Sequence, residues 1–197
     1  AAVNRAKVDL GDRVAVFGIG GIGLNVIQGA AVKGAKQIVA VDTVADKEAV
    51  ARQFGATDFV RAGGVGGDAD APDVVKTIKK LTGGGVDHAF ECVGHPAVFR
   101  DAVAALDWGG QCVILGVPKL GTEASFVVAD LYNDKSILGC RYGTSRPRHD
   151  IPVIVDLYLA GKIKLDELIT KTVPLDDVEG LIDDLSAGRL ARGVMTV

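Results

Sequence analysis

The chain has 197 residues, 48% of them hydrophobic and 5% aromatic, and a net charge of −3. That length allows one large or two small domains with a substantial core, and apolar content drawn from Val, Ile and Ala suits parallel strands covered by helices. The mildly acidic balance leaves no footprint for nucleic acid or an anionic membrane, and no apolar run approaches the ~20 residues that span a bilayer, so neither partner is expected and a cytoplasmic protein is.

The chain opens on Ala1, Ala2 and Val3, without Met and inside a predicted short helix, so it reads as a piece of something longer. After a turn at Gly11 and Asp12, residues 14–17 are four apolar residues in a row, as in a strand buried on both faces. Gly18, Gly20 and Gly23 then satisfy G-x-G-x-x-G between that strand and a helical run to Val32, closed by Gly34. The spacing has a steric and an electrostatic reason: a pyrophosphate must reach backbone amides at a helix N-terminus, where side chains would block it. Gly18 allows the turn out of the strand, Gly20 lets phosphates approach, and Gly23 lets the helix lie close to the sheet, while Gly21 and Ile22 offer free N–H groups.

A second buried strand, residues 37–41, ends on Asp42, nineteen residues after Gly23. A carboxylate there can accept both ribose hydroxyls of an adenosine half and would repel the 2′-phosphate of NADP, which favours NAD. The same residue also suits the N-cap of the next helix. That helix (45–54, closed by Gly55) and a short strand (58–60) complete a β-α-β-α-β unit with right-handed crossovers. Residues 62–71, rich in Gly and Asp, lack the Lys-Ser/Thr ending of a P-loop and read as a solvated connection.

Pro72 fits the first turn of a helix carrying Val74, Val75, Ile78 and Leu81 on one face and ending at Gly83. A strand (86–93), a helix (96–106) ended by Gly109 and Gly110, a strand (111–117), an extended crossover (119–135) and a sixth strand (136–140) form the second half. The fold class is α/β: a doubly wound Rossmann fold with a parallel six-stranded sheet in the order 3-2-1-4-5-6, helices on both faces, and its crevice at the C-terminal strand ends. Beyond Tyr142 a helix (149–160), a strand (168–173), a helix (175–186) and a strand (193–197) form a C-terminal α/β segment suited to packing on another domain. The division is residues 1–143 and 144–197.

His88, His95 and His149 share no helical face, and Cys92, Cys112 and Cys140 are odd in number and widely spaced, without ligand spacing for zinc. There is no G-x-S-x-G elbow and no Tyr-x-x-x-Lys pair. The chain holds a cofactor site without a visible acid, base, nucleophile or metal centre. A nucleotide-sensing or S-adenosylmethionine-dependent module shares the glycine loop and the ribose acid and is the alternative.

On these residues the sequence resembles the coenzyme domain and C-terminal end of a zinc-dependent medium-chain alcohol dehydrogenase. Residues 14–23, 40–42 with Asp46 and Lys47, 85–87 with 91–94, 115–117 and 188–197 carry the resemblance in order, over nearly the whole chain. Residues 142–150 and 191–194 look closest to bacterial branches, among them glutathione- or mycothiol-linked formaldehyde dehydrogenases and tightly NAD-bound alcohol dehydrogenases. The resemblance implies an oxidoreductase moving a hydride between an alcohol or aldehyde adduct and NAD, with Lys47 near the adenosine ribose and Arg192 on the pyrophosphate. It further implies Ile22 against the nicotinamide, the carbonyls of Leu115 and Cys140 and the amide of Tyr142 on its carboxamide, and Ile19, Cys92, Val93, Gly116 and Val117 among the contacts. The zinc ligands, the proton relay and most of the substrate pocket would belong to a domain preceding Ala1, and the sixth-strand edge would pair two copies.

Overall fold

Strands β1 (Arg13–Phe17), β2 (Gln37–Asp42), β3 (Asp58–Arg61), β4 (Val86–Glu91), β5 (Leu106–Ile114) and β6 (Ser136–Gly139) form one sheet in the order β3-β2-β1-β4-β5-β6. Every neighbouring pair is parallel. The computed structural model describes residues 1–64 and 71–197, so most of the connection expected over 62–71 lies outside the described residues.

Side chains alternate along a strand, so a sheet covered on both sides needs two cores, and this is why the strands read as apolar runs. On one face Val14, Val16, Ile38, Ala40 and Phe90 pack with α1 (Gly21–Val32), α2 (Lys47–Gln53), Phe54 and the opening turn Ala2–Ala6. On the other, Ala15, Phe17, Val39, Val41, Ala89 and Cys112 pack with α3 (Val74–Thr82) and α4 (Pro96–Ala104).

Several boundaries move for identifiable reasons. β4 stops at Glu91, two residues before the expected end, because the Glu91 carboxylate accepts the N–H groups of Val93 at 2.9 Å and Gly94 at 2.8 Å and the chain leaves the ladder. β5 begins at Leu106, which pairs with Val86, whereas His88 pairs with Gln111; the glycines expected to end α4 form a bulge inside the strand. Asp73 caps α3 by accepting the Lys76 N–H at 3.0 Å, so Pro72 stands before the cap and not in the first turn. α2 starts at Lys47, with Asp46 at its cap. The crossover expected to be extended contains a four-residue helix, α5 (Val128–Leu131).

The C-terminal segment holds α6 (Pro147–Leu159), β7 (Lys171–Pro174), α7 (Val178–Ser186) and β8 (Gly193–Thr196), and β7 and β8 pair in parallel as a separate small sheet. Leu168, expected to open a strand, instead ends a 3-10 turn and is buried in the α1-side core. Gln28 of α1 clamps this segment, donating to the Lys164 carbonyl at 3.1 Å and accepting its N–H at 2.8 Å. Among the described residues no helix is long and apolar enough to cross a membrane.

At the N-terminal strand ends Arg13 is the main electrostatic tie. Its guanidinium reaches Asp87 at 2.9 Å, Asp107 at 3.0 Å and the Thr82 carbonyl at 3.2 Å, joining β1, β4 and β5. Burial pushes the Asp87 carboxyl up, but hydrogen bonds and charge from Arg13 outweigh it and hold the group below its ordinary range. A carboxyl depressed in the folded state stabilises fully above its unfolded pKa and loses that contribution as pH falls through the folded value. With both carboxylates partly solvated, Arg13→Ala is expected to cost about 1–3 kcal/mol near neutral pH. The variant should also lose part of the acid-side slope of stability against pH. Urea unfolding midpoints across pH check this, and equal stability of the two proteins at neutral pH would contradict it.

Candidate functional site

The sheet register aligns the expected site by itself. Phe17 stands beside Val41 and Glu91, Glu91 beside Ile114, and Ile114 beside Gly139. The next residue on each strand is therefore Gly18, Asp42, Cys92, Leu115 or Cys140, and all five line the C-terminal edge of the sheet. Three backbone bonds extend the ladder there: Gly18 N–H to Val41, Cys92 N–H to Phe17 and Leu115 N–H to Glu91, at 2.8, 2.9 and 2.8 Å.

Gly18 sits at φ +91°, and a Cβ there would stand 2.6 Å from the Val93 Cγ2. A Cβ on Gly23 would overlap the carbonyl oxygen of Gly18, so α1 can begin this close to β1 only with hydrogen at that position. Gly20 is different: a Cβ there would meet nothing within 4 Å. It caps α1 in extended backbone, and among the described residues no side chain caps this helix start. A 12-residue helix thus starts at a glycine with open space for a Cβ and no side-chain cap, an arrangement that favours an anionic group.

Asp42, 8% exposed, borders this turn. Its Oδ2 accepts the Ile19 N–H at 2.7 Å and Lys47 Nζ at 3.0 Å, and its Oδ1 accepts the Val44 N–H at 3.0 Å. The carboxylate latches the glycine turn to β2 and does not cap α2. With three of about four acceptor positions filled, it has room for one further donor, so a pair of ribose hydroxyls would be shared between Asp42 and Lys47.

The C-terminal segment closes the other side. The Ala191 carbonyl oxygen lies 2.7 Å from where a Cβ on Gly21 would be, which sets the backbone beside Arg192 against the glycine turn. Thr170, which sequence reasoning missed, holds this stretch: its N–H donates to the Arg192 carbonyl at 2.8 Å, and its hydroxyl accepts the N–H of Ala191 at 3.0 Å and of Arg192 at 3.3 Å. Glu91 is not among the expected contacts either, although it opens the stretch 91–94 that carries the resemblance. Along the rim Ile22 and Val93 are half-exposed and Val117 is exposed. Tyr142, in left-handed backbone at φ 50°, carries the Arg141 guanidinium 5.4 Å from its ring centre.

The residues present do not suit zinc. Among the described residues no three His, Cys, Asp or Glu side chains are gathered. Burial, reinforced by the Glu91 charge, pushes the Cys112 thiol up to about 12 and the Cys92 thiol further, whereas zinc binds the thiolate. A cavity of about 450 Å³ bounded by Arg5, His88, Trp108 and Gln111 lies toward the N-terminal halves of β4 and β5 and includes no expected site residue.

Residues 21–160 match the family described as zinc-binding dehydrogenase. S-(hydroxymethyl)glutathione dehydrogenase of Paracoccus denitrificans is 40% identical over 99% of this chain, which covers 52% of that protein. An alcohol dehydrogenase zinc-binding domain protein from Burkholderia ambifaria superposes over the whole chain and 51% of its own, with TM-score 0.92 and 35% identity. Benzyl alcohol dehydrogenase from Acinetobacter calcoaceticus does so over the whole chain and 52% of its own, with TM-score 0.92 and 33% identity. The chain spans about half the length of the curated relatives it matches.

Two alanine variants separate close packing from open space in the turn. Gly23→Ala is expected to cost about 1–3 kcal/mol as an overpacking change, and Gly20→Ala to stay within about 0.5 kcal/mol of the original. Denaturant titration of both decides it, and equal losses would contradict the packing described here.

Proposed function

The chain belongs to the zinc-binding dehydrogenase family, and we propose that it is the NAD-binding half of an oxidoreductase that transfers a hydride between an alcohol or aldehyde adduct and NAD. The observation that carries this reading is the open space at Gly20, at a helix start without a side-chain cap and beside a buried carboxylate. In this reading the amides of Gly21, Ile22 and Gly23 and the Arg192 guanidinium bind the pyrophosphate, and Asp42 with Lys47 binds the adenosine ribose. Ile19, Ile22, Cys92, Val93, Leu115, Gly116, Val117, Cys140 and Tyr142 shape the nicotinamide end, where apolar rims exclude water. Bound NAD supplies the hydride acceptor, and zinc in the other half supplies the polarisation of the alcohol.

The exposed Ile151, Ile154, Val155 and Leu159 of α6 support a role for residues 144–197 in packing on that other half. The open edge of β6, with Val127, Val128 and Tyr132 exposed nearby, supports self-association between cytoplasmic copies.

NADH should bind more tightly than NADPH, because a 2′-phosphate would face the Asp42 carboxylate; Asp42→Ser should shrink the preference by about tenfold. Titrating both cofactors against both proteins tests the assignment, and equal affinity of the original for the two would sink it. Gly20→Ala should fold yet bind NADH more weakly, and S-adenosylmethionine should leave the melting temperature unmoved where NADH raises it. The 197-residue chain alone should oxidise no alcohol.

A further inference from the structure

Glu91, the last residue of β4, is 1% exposed. Its Oε1 accepts two consecutive N–H groups, from Val93 at 2.9 Å and Gly94 at 2.8 Å. Its carbonyl oxygen accepts two more, from Leu115 at 2.8 Å and Gly116 at 2.9 Å. One residue therefore holds both turns that leave the sheet on the β4–β5 side of the glycine turn. Those turns also meet each other: a Cβ on Gly94 would lie 2.8 Å from the Val117 carbonyl carbon, and one on Gly116 would overlap the Gly94 nitrogen. Val93, in turn, leans over Gly18.

We propose that Glu91 is a positioning residue for the nicotinamide end of the cofactor: it binds residues 92–94 and 115–117 into a single shelf and so sets the wall against which the nicotinamide ring lies. The proposal rests on the NAD-binding reading above. Burying a carboxyl among apolar neighbours is costly, and backbone N–H groups leaving a parallel ladder have no strand partner. A carboxylate can accept two of them at once. The adenosine end is held by different groups, Asp42 and Lys47, on the opposite side of β1. Disturbing Glu91 should therefore affect the two ends of the cofactor unequally.

The test compares NADH with ADP-ribose, which lacks the nicotinamide, as ligands of the original chain and of the Glu91→Ala, Glu91→Gln and Glu91→Asp variants, by calorimetric titration. Glu91→Ala should lose about tenfold or more in NADH affinity while ADP-ribose affinity changes by less than about threefold. Glu91→Gln, which keeps an oxygen acceptor in place, should regain most of the loss. If Glu91→Ala does not melt cooperatively, Glu91→Asp, which withdraws the carboxylate by one methylene, should give the same split. Equal loss for both ligands, or no loss for NADH, in a chain whose original form binds both would overturn the proposal alone. Failure of the original chain to bind either ligand would overturn the NAD reading and the proposal with it.

Discussion

No side chain can stand between the carbonyl of Gly18 and the first turn of α1. A Cβ on Gly23 would overlap that oxygen, so the helix start approaches the end of β1 only because glycine occupies the position. The rest of the site depends on this approach. It sets the start of α1 at the C-terminal edge of the sheet, at the level where the register also ends β2, β4, β5 and β6. In a parallel sheet wound in both directions from β1, that edge is where neighbouring crossovers diverge and a crevice opens.

Two buried carboxylates hold what the glycines leave free. Asp42 ties the turn after β1 to β2 through the Ile19 N–H, and the Glu91 carboxylate holds the turn after β4, while the backbone carbonyl of the same residue holds the turn after β5. Each accepts backbone N–H groups that have left the ladder, so its desolvation is offset by hydrogen bonds that a neutral apolar residue could not make. The arrangement ties the turns on both sides of β1 by hydrogen bonds without lengthening any strand. Thr170 does comparable work for the C-terminal segment, fixing the backbone at Ala191 and Arg192 against Gly21.

Much of this was legible in the residues. The apolar runs at 14–17 and 37–41, the glycine spacing and the acid at 42 each follow from burial on both faces or from access to a helix N-terminus, and the six-strand order came out as expected. What escaped the pattern was tertiary. A bulge between Leu106 and Gln111 made a strand look like a helix end, and Glu91 looked like a strand residue although its side chain ends the strand. Arg192 could be associated with the site only through the resemblance, because its neighbour Ala191 reaches the glycine turn from a segment more than 150 residues away in sequence. The same segment is held by the Gln28 clamp and the Leu168 anchor, neither of which has a local signature.

In the proposed function a dinucleotide lies on the glycine turn and spans the C-terminal strand ends from Asp42 to Tyr142. Backbone amide chemical shifts of the chain, followed through an NADH titration, test it most directly. Shifts are expected to concentrate on residues 19–23, 42–47, 92–94, 115–117 and 140–142, with Arg192 among them. Shifts centred instead on Arg5, His88, Trp108 and Gln111, around the cavity toward the other end of the strands, would contradict it.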